Sequence, residues 1–277
     1  MSGEPLIKTQ AEHGIFTITF NRPESMNAMN QAFCNRMRDV LRMASRDPDV
    51  RVVVVTGAGR GFSAGGDIKN LGRHDPEDLL AARLGNDPRW NEIEMRVERL
   101  NETALTYLML QTMPKPTIAM VNGPAVGAGM VPALACDFRI CSDRAYFNSG
   151  YANMALSGDI GATYFLTRVV GPALAREILF FPRKLDAQES LRLGLATKVV
   201  PHDSLLEETM AMARELASGP TLTFGHMKEN LNAAVEQGAH VAFDIESRNF
   251  ARCFQTADHR EAVAAFKEKR KPVFRGN

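Results

Sequence analysis

The stretch VVVVTGAGRGFSAGGD, residues 52–67, runs from an unbroken β-branched segment into a loop of small residues. Four consecutive valines show no alternation, so both faces of that strand must be covered, as in a parallel sheet flanked by helices. TIAMVNGPAVGAG, residues 117–129, repeats the pattern: an apolar run, a Gly- and Ala-rich loop, then a helical segment. Working outward, GIFTITF (14–20) alternates as a strand and NRPESMNAMN breaks it. Phe33, Met37, Val40, Leu41 and Ala44 then recur at helical spacing over residues 31–46. A polar helical region is expected up to about residue 111, a short apolar helix over 128–135 and a strand at DFRIC, 137–141. Beyond about residue 159 nearly everything reads as helix. The expectation is an α/β fold with mainly parallel strands, one domain comprising a core over 1–200 and a helical region over 201–277.

The chain has 277 residues, 45% hydrophobic and 23% charged, with a formal net charge of +1. Disorder and fibrous repeats are excluded by this balance, and it gives no general reason to expect nucleic acid or a membrane surface as partner. MSGEPLIKTQAEHG lacks the basic start and apolar core of a signal peptide, and no apolar run approaches the roughly 18 residues of a membrane span, so a cytoplasmic protein is expected. Cys34, Cys136, Cys141 and Cys253 are scattered without CxxC or His at ligand spacing, which predicts reduced structural thiols and no bound metal. The C-terminal segments LLEETMAMARELAS, HMKENLNAAVEQG and DHREAVAAFKEKRKPVF are amphipathic, and a subunit interface is a candidate to cover their apolar faces.

Two loops hold the functional signal. FSAGGD (62–67) and NGPAVGAG (122–129) each follow a buried strand and precede a helix. Residues this small let another group approach the backbone, and a helix start directs free N–H groups toward it. Neither loop is a GxGxxG or a Gly-Lys-Ser/Thr phosphate motif. Each read alone is also compatible with a tight turn, but two in successive units can aim two N–H donors at one oxygen, the geometry of an oxyanion hole.

With those residues in hand, the chain resembles the enoyl-CoA hydratase/isomerase, or crotonase, superfamily. The matching blocks are FNRPESMNAMN (20–30), VVVVTGAGRGFSAGGDI (52–68), PKPTIAMVNGPAVGAGMVPALACDFRI (114–140), GLATKVV (194–200) and AFKEKRKPVF (265–274). The resemblance implies a spiral core of repeated ββα units, a C-terminal helical region that makes a homotrimer or a dimer of trimers, and an acyl-CoA thioester substrate. No cofactor is expected, since coenzyme A belongs to the substrate. It implies that the oxyanion donors are the backbone N–H groups of Gly66 and Ala128, with Gly127 alongside. It also implies that CoA is held near Arg22, Asn27 and Ala28 and along Ala64, Gly65, Gly66, Asp67 and Ile68, with Lys269 near the CoA phosphates. Arg22 also reads as a surface charge, and the run around Lys269 as a solvated helix end.

The chain departs from the hydratase pattern at two places. The two glutamates that such enzymes use on water align with Val131 and Tyr151, and neither is a carboxylate. General acid–base chemistry needs an ionisable group near the moving proton, and neither valine nor an ordinary tyrosine replaces a carboxylate at neutral pH. Asp159, in ALSGDIGATYF (155–165), aligns with the catalytic Asp of epoxyphenylacetyl-CoA isomerases, dienoyl-CoA isomerases and 4-chlorobenzoyl-CoA dehalogenases, the first of these resembling the chain most. The resemblance therefore points to an enoyl-CoA isomerase, acting on a double bond or an epoxide, with Asp159 as general base. Hydration, hydrolysis or dehalogenation assisted by His74 are the alternatives within the superfamily, and a non-catalytic acyl-CoA-binding or partner-binding relative is the rival outside it. Locally, Asp159 also reads as the N-cap of a helix beginning near Ile160. Tyr151 reads as a pocket wall or as core packing. Trp90 and Glu94 read mainly as solvated helix.

Overall fold

The computed structural model describes residues 4–68 and 92–277, and the sheet is built as the valine run implies. Strands β1 (Ile7–Glu12), β2 (Ile15–Phe20), β3 (Val52–Gly57), β4 (Thr117–Val121), β6 (Phe138–Ser142) and β9 (Lys198–Val200) form one sheet in the order β1-β2-β3-β4-β6-β9. Only the β1–β2 hairpin is antiparallel; every other pair in this sheet is parallel. A smaller sheet joins β5 (Ala125–Val126), β7 (Tyr146–Asn148) and β8 (Leu185–Asp186).

All of β3 is buried, and its side chains divide between two apolar clusters. Val53 and Val55 enter the main core with Phe20, Phe33 and Leu41, whereas Val52 and Val54 meet Ile118, Ile140, Leu205 and Ala213 on the other face. Period-2 geometry with both faces covered thus accounts for an apolar run without alternation. Helix α1 (Gln31–Arg46) buries Phe33, Met37, Val40, Leu41 and Ala44, and the Asn30 side chain accepts from the Phe33 N–H at 2.9 Å to cap it. The long helix α2 spans Ile93–Thr112.

Three expectations are revised. The apolar helix over 128–135 is a 3-10 turn, Gly127–Met130, running into the short helix α3, Val131–Ala135. The region past residue 159 carries α4 (Ala162–Val170), α5 (Pro172–Phe180) and α6 (Ala187–Arg192), but also β8 and β9, and β9 extends the main sheet. These strands are two and three residues long, too short to show a period. Finally, α7 (Leu205–Ser218) lays Leu205, Ala213 and Ala217 on the second face of the sheet. The region after residue 200 therefore begins inside the core, and only α8 (Thr221–Glu236), α9 (Ala239–Cys253) and α10 (Ala257–Glu268) lie beyond it. These last helices expose Leu231, Val235, Phe243, Phe250, Phe254 and Phe266. Among the described residues no helix is long and apolar enough to cross a membrane.

Candidate active site

Three loops are laced together at the C-terminal ends of β2, β3 and β4. Asn27, fully buried in a left-handed conformation, brackets the first: its Oδ1 accepts from the Arg22 N–H at 2.9 Å, and its Nδ2 donates to the carbonyls of Ala58 and Gly61 at 3.0 and 2.8 Å. The next residues pair with the second loop. Met29 N–H donates to Gly65 O at 2.8 Å and accepts on its own carbonyl from Asp67 N–H at 3.0 Å, while Ala64 N–H donates to Met26 O at 2.8 Å. The second loop pairs in turn with the third: Ser63 N–H donates to Pro124 O at 3.0 Å, and Val126 N–H to Ser63 O at 2.9 Å.

That lacing requires small residues. Gly65 sits at φ 92°, and a Cβ there would lie 2.6 Å from the Val126 carbonyl oxygen. A Cβ on Gly129 would lie 2.4 Å from Ser63 O and 2.8 Å from Gly65 N. Gly66 differs, because a Cβ on it would meet none of the described residues within 4 Å. Its N–H is not used by the pairing with Met29, which runs through the Gly65 carbonyl and the Asp67 N–H. Ala128 is the second residue of the 3-10 turn, where a helix leaves its N–H groups without intrahelical partners. The loops therefore bring two backbone N–H groups to one end of the sheet, with the side chains of Asn27 and Ser63 supporting the loops from within.

The polar residues around these loops have specific partners. Arg22 is not a free surface charge: its guanidinium ion-pairs with Asp67 at 2.9 Å, donates to the Ala28 carbonyl and is largely buried. Ile68, just beyond Gly66, is 56% exposed. Lys269 ends α10 in a left-handed conformation and is exposed. Glu94 is exposed on the first turn of α2, in an open groove of about 540 Å³ with Ile93, Val97, Asn101 and Leu105, apart from the residues around Asp159. Trp90 and His74 lie outside the described residues.

Asp159 reaches this region from the other side. Pairing of β5 with β7 sets Val126 beside Asn148, and Gly127 packs near the Ser149 carbonyl. The chain then turns through Tyr151, which is 7% exposed, and the Tyr151 hydroxyl donates to Asp159 Oδ1 at 2.7 Å. Burial raises the Asp159 pKa above the ordinary carboxylate value, with the Tyr151 hydrogen bond acting in the opposite direction. Burial also raises the phenol of Tyr151, with the neighbouring Asp159 charge adding to it. Two residues that the sequence did not single out share the neighbourhood: Cys34 of α1, whose thiol is pushed up to about 12 mainly by burial, and Tyr107 of α2. Both feel the Asp159 charge, and the Tyr107 hydroxyl donates to Met29 Sδ at 3.0 Å. Met29 itself lies in the strand-like contact with Gly66, so Tyr107 links the second loop to α2.

The helix-cap reading of Asp159 fails. Helix α4 begins at Ala162 with Gly161 as its N-cap, and Asp159 contributes only its backbone carbonyl, accepting from Ala162 N–H at 2.8 Å. Its own neighbourhood reverses through left-handed residues instead, Gly158 and Gly161 at φ 104° and 92°, where glycine is unstrained, and Ile160 at φ 41°, where a β-branched residue is strained. A left-handed β-branched residue costs about 1–3 kcal/mol. Ile160 is 7% exposed within the main core, and burial of such a side chain contributes about 1.5–3 kcal/mol, enough to hold the strained backbone that presents Asp159. Val131, one of the two positions where the resemblance places a glutamate, is fully buried in the same core.

Comparisons with known proteins agree with this architecture. The profile of the family described as Enoyl-CoA hydratase/isomerase matches residues 10–277. The chain is 38% identical over 265 residues to "Probable enoyl-CoA hydratase EchA12" of Mycobacterium tuberculosis, covering 94% of this chain and 89% of that one. It is 35% identical over 271 residues to 1,2-epoxyphenylacetyl-CoA isomerase of Escherichia coli, covering 98% of each. The crystal structure of an enoyl-CoA hydratase from Bacillus anthracis superposes with a TM-score of 0.87 at 29% identity, covering 99% of this chain and 100% of that one. The chain belongs to the enoyl-CoA hydratase/isomerase family and is an acyl-CoA enzyme of the crotonase superfamily.

Proposed function

We propose that this protein is an enoyl-CoA isomerase in which Asp159 is the general base and the N–H groups of Gly66 and Ala128 form the oxyanion hole. The observation that carries the reading is the Asp159 carboxylate, raised in pKa by burial and held by Tyr151, while the two positions where the hydratase pattern expects glutamates hold Val131 and Tyr151. In the proposed cycle Asp159 takes a proton from C2 of a 3-enoyl thioester. The electron pair moves onto the thioester oxygen, giving a dienolate that the two N–H donors stabilise, and the proton returns at C4 to leave the 2-enoyl product. One such donor is worth about 2.7–4 kcal/mol in the transition state. An elevated carboxylate pKa brings the base closer to the operating pH, where proton transfer is most effective. The CoA moiety is proposed to lie along residues 64–68 and the loop of Arg22, Asn27 and Ala28, with Lys269 near its phosphates. The apolar faces of α8 to α10 are proposed to meet other copies of the chain in a trimer.

Hydration is the second reading, favoured by the printed name of the EchA12 relative and opposed by Val131 and Tyr151. An assay with purified protein separates the two: trans-3-hexenoyl-CoA and trans-2-hexenoyl-CoA are offered in parallel while bond migration and water addition are followed. The isomerase reading predicts migration at enzymatic rates with little hydration. Rapid hydration of the 2-enoyl thioester without migration would overturn it.

A further inference from the structure

Tyr151 stands where the resemblance places a glutamate, yet it is neither exposed nor a bystander. Its hydroxyl is 2.7 Å from Asp159 Oδ1, and among the described residues it is the one side-chain donor to the carboxylate, the Asp159 backbone N–H adding a weaker hydrogen bond that also lowers the pKa. The loop between them is shaped to make that contact. Tyr151 caps the 3-10 turn Ala152–Met154, the chain reverses at Ala155 with φ 51°, and it reverses again at Gly158 to return Asp159 to the phenol.

From this geometry we infer that Tyr151 is the positioning residue of the base: it holds one oxygen of Asp159, keeps the carboxylate ionised in an apolar site, and leaves the other oxygen for the substrate proton. The inference rests on Asp159 being the base. A carboxylate at position 151 would set two like charges at hydrogen-bond distance and force one of them to stay protonated. A phenol there is a donor without a competing charge, and its raised pKa keeps it protonated through the working range. The other titratable groups facing Asp159 are Cys34 from α1 and Tyr107 from α2, both shifted upward and so neutral in that range. No charged group among the described residues acts on Asp159, which leaves the Tyr151 hydrogen bond as the main force against the burial that raises its pKa. Activity should therefore rise with pH through the Asp159 pKa, because only the ionised form accepts a proton.

The test combines turnover of trans-3-hexenoyl-CoA from pH 4.5 to 9 with direct titration of Asp159 by carboxyl 13C NMR, using Asp159→Asn to assign its resonance. Removing a hydrogen bond to a charged acceptor predicts that Tyr151→Phe moves the Asp159 pKa and the acid limb of kcat upward by about 1 pH unit. Turnover then falls about tenfold on that limb and recovers most of its plateau at high pH, with KM nearly unchanged. Placing 3-fluorotyrosine, a stronger donor, at position 151 moves the Asp159 pKa the other way and serves if Tyr151→Phe folds poorly. An unmoved Asp159 titration in these variants overturns the inference, and so does an equal loss of turnover at every pH. If the wild-type protein moves no double bond, the base reading fails instead, and the NMR titration still decides whether Tyr151 sets the Asp159 pKa.

Discussion

In the loops around Gly66 and Ala128 most of the polar contacts between the loops run backbone to backbone, with Asn27 and Ser63 as side-chain struts, whereas between Tyr151 and Asp159 the contact is between side chains. The loops are held by main-chain pairing from Met29 to Gly65 and from Ser63 to Val126, with residues small enough to let the chains touch. The Asp159 segment is held by one side-chain hydrogen bond and by a left-handed isoleucine packed into the core. Backbone donors suit a developing charge on an oxygen, which every thioester enolate has in common. Moving a proton requires a particular group with a particular pKa. A fold can therefore in principle keep the first region and change its reaction in the second.

Substitutions can break this contrast. Among the loop and scaffold positions the largest effect is expected from Gly65→Ala, which places a Cβ 2.6 Å from the Val126 carbonyl at a φ of 92°. Displacing the neighbouring Gly66 donor should cost about 10²–10³-fold in kcat, the loss typical of one oxyanion donor, when measured on the 3-enoyl thioester. Next comes Ile160→Gly. Deleting a buried aliphatic side chain ordinarily costs about 2–5 kcal/mol, but relief of the left-handed strain should return about 1–2 kcal/mol of that in urea unfolding. Loss of the rigid presentation of Asp159 should lower kcat about tenfold with little change in KM, a misplacement penalty smaller than losing the base. The smallest effect is expected from Ala128→Ser: if only its N–H matters, kcat should stay within about threefold of wild type, well under the cost of a lost donor. A large loss there would mean that the loop acts through its side chains after all.

Different parts of this account were legible in the sequence to different degrees. Helix α1 and strand β3 were readable because each carries a strong local signal, apolar residues at helical spacing in one and a valine run bounded by glycine in the other. The two loops were readable because only very small residues allow such close pairing. Strands β5, β7, β8 and β9 were not, since segments of two or three residues have no period and form only where the neighbouring strand is already in place. The Tyr151–Asp159 contact was hidden for a related reason. It depends on reversals at Ala155 and Gly158 and on a strained Ile160, and an isoleucine gives no local hint of a left-handed backbone. Cys34 and Tyr107 come from two separate helices and come within range of the Asp159 charge only in three dimensions. Arg22 was legible as a residue of interest, but its partner Asp67 lies too far along the chain for the pairing to be read from sequence.

The central claim is that Asp159 alone moves the proton at the carbon beside the thioester. It is tested most directly by incubating wild type and Asp159→Asn with trans-3-hexenoyl-CoA in D2O and following deuterium at C2 and C4 by NMR and mass spectrometry. The account predicts deuterium in both substrate and product with wild type, and exchange slowed by about 10²–10⁴-fold in the folded variant, the usual contribution of a general base. Exchange by Asp159→Asn at the wild-type rate would contradict it.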